Sequence, residues 1–229
     1  MTAPLVYAIG DIHGRLDLFE AAVRAIDARG AAAGRTVVVL GDFVDRGPGS
    51  AQMVERLKAL EGAGWVCLKG NHEAMMVEAL RGGDRRAWEL WFSNGGAETL
   101  DSYGGADAVP AADLDWLETL PLWWRDAHRD YVHAGLEPGV PLEAQEPASL
   151  LWIRDRFLAA PAAAFSRHVV HGHTPRWRGK PDPSEPERLA HRTNLDTGAW
   201  MTGVLSIGVF DPVRPGGPLE VLAVRGEPG

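Results

Sequence analysis

Six side chains whose types suit metal chemistry fall in five short polar segments. They are Asp11 and His13 in Gly10-Asp11-Ile12-His13-Gly14, Asp42 in Gly41-Asp42-Phe43-Val44-Asp45-Arg46-Gly47, Asn71 in Gly70-Asn71-His72-Glu73, His133 in Val132-His133-Ala134-Gly135, and His173 in Gly172-His173-Thr174-Pro175. Asp11 and His13 stand two apart, so in an extended segment both leave on one face, as two ligands of one ion need. Carboxylates delivered at the end of a buried strand are costly to desolvate unless a cation meets them. One divalent metal is therefore expected on Asp11, His13 and Asp42, and a second on Asp42, Asn71, His133 and His173, with Asp42 as the bridge. The mixed oxygen and nitrogen donors suit Mn, Fe or Zn better than Ca, with Mn expected first. Two such ions lower the pKa of a bridging water and clamp both ends of an in-line displacement at phosphorus, which is hydrolase chemistry. Arg46 and Arg154 are candidates for holding phosphoryl oxygens, because guanidinium meets them with paired donors. His72, next to Asn71 at the start of a helix, is the candidate to protonate a leaving oxygen, with Asp45 accepting its other N–H.

For these groups to meet, strands must carry them to one rim. Val37 to Leu40 is a run of four apolar residues, three of them β-branched, and reads as a buried strand that stops at Gly41. Leu5 to Ile9 before Gly10, and Trp65 to Leu68 before Lys69-Gly70, repeat that strand-then-loop layout. Helical spacing follows each time: Phe19, Ala22, Val23 and Ile26; Met53, Val54, Leu57 and Leu60, with Ser50 as the expected N-cap; then Met75, Met76, Ala79 and Leu80. Alternation at these lengths implies parallel strands with right-handed crossovers, so the motif loops gather at neighbouring carboxyl ends. Residues 84 to 120 read as helical and connective, broken at Gly95-Gly96 and Gly104-Gly105. Beyond them, Leu122 to Ala127, Asp130 to Ala134, Val169-Val170, Arg192 to Leu195, Val204 to Phe210 and Leu219 to Val224 read as strands of a second, mixed sheet packed on the first. Pro175 to Arg192 is expected as a surface loop.

At 229 residues and 45% hydrophobic, with no compositional break, the chain reads as one domain, 1–229. No apolar run approaches the roughly 18 residues that span a membrane, and the N-terminus has no basic-then-apolar leader, so neither a membrane nor export is expected. Cys67 is the one cysteine, in an apolar run, which fits a buried thiol and a cytoplasmic protein. A net charge of −8 argues against long nucleic acids as partners. The tryptophans, among them Trp88, Trp91, Trp116, Trp123 and Trp124, read as packing, since no basic stripe accompanies them. His171 reads as a supporting or surface histidine, and His128, His168 and His191 as structural. Asp196 is either a buttress of a ligand histidine or a turn cap.

The series GDIHG, GDFVDRG, GNHE, VHAG and GHT resembles the signature of the metal-dependent phosphoprotein phosphatases, the calcineurin-like metallophosphoesterases. The nearest likeness is to the bacteriophage lambda-type bacterial branch, through GNHEAMM, Trp152-x-Arg154, GHTP and Asp196-Thr197-Gly198-Ala199. The resemblance spans most of residues 5 to 210. It implies an α/β fold, a four-layer αββα sandwich of two mixed sheets, and the same two-metal assignment. It also implies His72 as general acid, Asp45 as its partner, and Arg46 and Arg154 as phosphate ligands. Lys69 departs from the Arg usual before GNHE and loses bidentate geometry there. The expected activity is phosphomonoester hydrolysis of phosphoserine or phosphothreonine in a phosphoprotein or phosphopeptide, extending to phosphotyrosine or small phosphate esters. Two rivals stand beside it: a symmetrical bis(5'-nucleosyl)-tetraphosphatase, which shares Arg-Gly-Pro-Gly-Ser as at 46 to 50, and a non-catalytic phosphopeptide-binding module. Against the first, those enzymes more often carry GNHD and lack an acid where Asp45 stands. The oligomeric state is left open.

Overall fold

Strand β1 (Val6–Ile9) sends Tyr7 and Ile9 to one side and Val6 and Ala8 to the other, and both sides are buried. β2 (Thr36–Val39) repeats the division, with Val37 and Val39 on the first side and Val38 on the second. That period of two, with no polar face, dictates a sheet covered on both sides. The computed structural model describes residues 4–29, 34–175, 182 and 184–229. β1, β2 and β3 (Trp65–Cys67) are parallel neighbours, and β9 (Val204–Phe210) and β10 (Glu220–Arg225) extend the sheet antiparallel beyond β1, in the order β10-β9-β1-β2-β3. The second sheet runs β4 (Trp123–Arg125), β5 (Arg129–Val132), β6 (His168–His171), β8 (Arg192–Asn194), β7 (Glu187–Arg188), with β5, β6 and β8 parallel.

Helices α1 (Leu16–Asp27), α2 (Ser50–Leu60), α3 (Asn71–Gly82), α4 (Arg85–Ser93), α5 (Gly96–Tyr103) and α6 (Ala111–Thr119) connect the first three strands and follow β3. Phe19, Val23, Met53, Leu57, Met76 and Trp91 from this layer pack on the outer face of the first sheet. Between the sheets, Val6, Ala8, Val38 and Leu40 meet Tyr131, Val170 and Phe210. On the far side, Val132 and Val169 pack with Leu150 of α7 (Pro147–Trp152) and Phe157 of α8 (Asp155–Leu158). A last short helix, α9 (Ala199–Thr202), leads into β9. The layers thus run helix, sheet, sheet, helix, as an α/β fold with two mixed sheets.

Three expectations change. Val204–Phe210 and Glu220–Arg225 belong to the first sheet and not the second, with Tyr7 opposite Val209 and Ile9 opposite Ile207. Their burial reads as strand in either sheet; the free edge of β1, far away in sequence, decides which. Ser50 is not the N-cap of α2: Gly49 is, and the Ser50 hydroxyl accepts the Asp45 N–H at 3.0 Å. The Asp11-to-His13 segment is not extended either, because His13 sits at φ 50°. Cys67 is buried, as expected. The surface loop expected from Pro175 contains β7, while 176–181 and 183 lie outside the described residues. Among the described residues no helix is long and apolar enough to cross a membrane.

Candidate metal centre and adjoining cleft

The loops after β1, β2 and β3 and those after β5, β6 and β8 open on one rim, because all six strands are parallel within their sheets and their carboxyl ends point the same way. Asp11, His13, Asp42, Asn71, His133 and His173 come together there, and each is at most 5% exposed. Among the described residues the positive-φ residues other than glycine are His13, Asp42, Asp45, Arg46 and His173, all of them in the motif loops of this rim. Left-handed backbone is costly for such residues and persists where the surroundings hold it, which marks the rim as the strained part of the fold.

The tautomers of His13 and His133 are set by what lies behind each ring. His13 Nδ1–H donates to the Val44 carbonyl at 3.0 Å and His133 Nδ1–H to the Leu40 carbonyl at 2.9 Å. Both rings therefore turn an Nε2 lone pair inward. His133 Nε2 then faces Asn71 Oδ1 at 2.9 Å, His173 Nδ1 at 3.1 Å and Asp42 Oδ1 at 3.3 Å. Asp42 Oδ2 lies 3.8 Å from His13 Nε2 and also from His72 Nε2. Donor atoms group closely in two sets, His13–Asp42–His72 and Asp42–His133–His173, with Asp42 common to both. Asp11 Oδ1 and His173 Nε2 are buried without a hydrogen-bond partner. Electron-rich atoms converging on one another, with two more left unpaired, are what a pair of cations would reconcile. The residues present thus fit divalent metal ions.

The electrostatics follow from burial and this crowding. Burial, with Asp196 and Asp42 adding to it, raises the Asp11 carboxyl well above the usual range. Burial alone would raise Asp42 too, but His133 and His72 outweigh it and hold it well below. Burial lowers His133, but the charge and hydrogen bond of Asp42 together with the Asp11 and Glu73 charges push it up to about 9. Burial, His72 and Arg46 lower His13 well below the usual value, and burial with His133 takes His173 to about 2.

Beside the donors stands a second constellation. His72 Nδ1 is 2.7 Å from Asp45 Oδ2, and Asp45 also accepts from Trp91 Nε1 at 3.0 Å and Thr99 Oγ1 at 2.6 Å. The Arg46 guanidinium reaches His13 Nε2 at 2.9 Å and His72 Nε2 at 3.1 Å. Its backbone N–H bonds the Gly95 carbonyl at 3.0 Å, and its guanidinium carbon lies over the Trp200 ring, 5.3 Å from the centroid. Arg154 Nη1 donates to the His173 carbonyl and to Thr174 Oγ1 at 3.3 and 3.2 Å. Arg46, Arg154 and His173 line a cleft of about 470 Å³ together with Ser93, Asn94, Gly95, Glu98, Pro175 and Trp200.

Several supporting residues had no role assigned from the sequence, even Glu73 inside the GNHE motif. Glu73 accepts four backbone N–H groups, from Asp42, Phe43, Val44 and Gly70, at 2.7 to 3.1 Å. Its position three residues into α3 was the available signal. Trp91, Thr99 and Trp200 offered none beyond burial. Lys69 is outside the cluster, its ammonium on the Glu118 carbonyl at 2.6 Å. Asp196 caps a turn by accepting the Gly198 N–H at 2.8 Å and bonds no histidine among the described residues. His171 is buried against Phe157, with Nε2 3.3 Å from Arg192.

The calcineurin-like phosphoesterase family profile matches residues 4–201. The chain is 26% identical to serine/threonine-protein phosphatase 2 of Salmonella typhimurium over 211 residues, 88% of this chain and 90% of that one. It is 35% identical to the symmetrical bis(5'-nucleosyl)-tetraphosphatase of Chromohalobacter salexigens over 180 residues, 75% of this chain but 59% of that enzyme's length. A solved protein serine/threonine phosphatase from Saccharomyces cerevisiae superposes with a TM-score of 0.67 at 17% identity, over 100% of this chain and 82% of that one, a likeness of fold.

Proposed function

Because the chain belongs to the calcineurin-like phosphoesterases and is a phosphoric ester hydrolase, we propose that its substrates are phosphomonoesters of poor leaving groups, phosphoserine and phosphothreonine in proteins. The observation that carries this reading is the contact of His72 Nδ1 with Asp45 Oδ2 at 2.7 Å. A serine or threonine alkoxide leaves only as it takes a proton, whereas the phosphoanhydride of a dinucleoside tetraphosphate releases a far weaker base. An acid held by a carboxylate that is itself tied by Trp91 and Thr99 suits the first task.

In this reading Asp11, His13 and Asp42 would hold one divalent ion and Asp42, Asn71, His133 and His173 the other. When bound, the ions supply Lewis acidity that turns water into a nucleophile at neutral pH. Mn fits best, since the histidines disfavour Mg, which prefers oxygen. Arg46 and Arg154 orient the phosphoryl group with paired N–H donors, and His72 Nε2 delivers the proton to the ester oxygen while Asp45 keeps the ring aligned. The second reading, symmetrical cleavage of a dinucleoside tetraphosphate, is favoured by the 35% identity to the Chromohalobacter salexigens enzyme.

The test is His72→Asn measured on two monoesters and on diadenosine tetraphosphate. We expect kcat to fall about 10²- to 10⁴-fold on phosphoserine peptides and clearly less on nitrophenyl phosphate, whose phenolate leaves unaided. Bound metal and KM should change little. Equal losses with chemistry rate-limiting would remove His72 from the acid role. A wild-type kcat/KM higher for diadenosine tetraphosphate than for any phosphopeptide would establish the second reading.

A further inference from the structure

The cleft beside the metal centre is much larger than a phosphoryl group, so it must take part of what the phosphate is attached to. Its cations among the described residues, Arg46 and Arg154, lie at the metal-centre end: Arg46 touches His13 and His72, and Arg154 touches the His173 carbonyl. Asn94, Gly95, Pro175 and Trp200 line its wall beside them, with Gly95 and Trp200 against Arg46. Glu98, on the first turn of α5, adds a carboxylate to this wall and makes no ion pair among the described residues. The same lining therefore offers two arginines beside the metal centre for an anion and one carboxylate for a cation.

We propose that this cleft is a subsite for the residue flanking the phosphorylated one in a peptide, and that Glu98 makes it select a lysine or arginine there. The proposal rests on the phosphomonoesterase reading and adds the sequence context of the substrate. The phosphoryl group takes the two arginines, and an aliphatic stem lies along Pro175 and Trp200 while its charged head reaches Glu98. A polyphosphate chain in the same cleft would instead bring its remaining anions against Glu98, with both lining arginines already engaged. The cleft thus favours a basic peptide over a dinucleotide, whose ribose hydroxyls are the other groups a carboxylate could bind.

The experiment compares phosphoserine peptides that differ only in carrying Arg or Glu at a position next to the phosphoserine, each side in turn. It is run with wild type, Glu98→Gln and Glu98→Lys, and with diadenosine tetraphosphate alongside. For wild type, kcat/KM is expected to be about 10-fold higher for the Arg peptide on one side, roughly the effect of exchanging attraction for repulsion at a partly exposed charge. Glu98→Gln should bring the ratio near one and Glu98→Lys should invert it. The wild-type ratio should also shrink in high salt, a readout that depends on no variant folding. A wild-type ratio near one on both sides, or a preference that Glu98→Gln leaves intact, overturns the subsite while phosphoserine turnover keeps the wider reading alive. If wild type ignores both peptides and cleaves diadenosine tetraphosphate, both fall together.

Discussion

Arg46 shows how much a single side chain depends on its surroundings. Its backbone is left-handed at φ 69°, and a Cβ on Gly95 would lie 2.6 Å from its Cγ, so only glycine lets the two chains approach. The Arg46 guanidinium carbon lies over the Trp200 ring at 5.3 Å, and an arginine held against a ring loses less freedom when it binds an anion. Trp200→Ala should therefore raise the inhibition constant of inorganic phosphate by about 10-fold, while Trp200→Phe recovers most of the affinity. Phosphate is too small to report on the rest of the cleft, so the measurement isolates the arginine. Unchanged inhibition in Trp200→Ala would show that Arg46 does not need the ring. Metal content, measured in the same preparations, should be unaltered. The thiol of Cys67 marks the opposite case: burial pushes it up to about 12, and no function is assigned to it. It should stay unreactive to thiol reagents at pH 8 until the protein unfolds; labelling of the native protein at the rate of a free thiol would contradict its burial.

At the scale of elements, the rim is held by loops that borrow each other's hydrogen bonds. The loop after β2 cannot pair its own N–H groups, because Gly41 and Asp42 turn left-handed, and Glu73 from the start of α3 takes three of them together with that of Gly70. A Cβ on Gly70 would run into the Asp42 carboxylate. Glu73→Ala should cost about 3 kcal/mol, since buried donors would be left without acceptors, and Glu73→Gln less, because an amide keeps one accepting oxygen. Urea unfolding of the three proteins measures this, and a midpoint for Glu73→Ala equal to wild type would mean water replaces the carboxylate at no cost. The helix that carries Met75, Met76, Ala79 and Leu80 was legible from apolar periodicity. The task of Glu73 was not, because three of its four partners belong to a loop about thirty residues earlier.

At the scale of the whole molecule, buried donors meet between two sheets, and the fold carries that crowding until ions relieve it. Metal-free protein should melt about 5 to 10 °C below protein with excess Mn, the shift expected for binding the native state at roughly 100 times Kd in a chain of this size. Thermal scans with chelator, Mn and Mg measure it; an identical melting temperature in all three would argue against a metal centre, and equal activity with Mg alone against Mn. By itself the sequence determined the β-loop-α order of the first half, the gathering of its motif loops at parallel carboxyl ends, and which polar side chains meet there. Those properties reside in short-range patterns, apolar periodicity and glycine-flanked polar turns, and any chain with them folds locally the same way. Only the tertiary structure decided that Val204–Phe210 closes the free edge of β1, that Ser50, Thr99 and Trp91 converge around Asp45, and that Trp200 lies against Arg46. A buried strand can pair with any open edge, and a serine or tryptophan can serve any packed layer. Which partner each one meets is set by backbone hydrogen bonding and close packing between segments tens to hundreds of residues apart, and no local pattern encodes it.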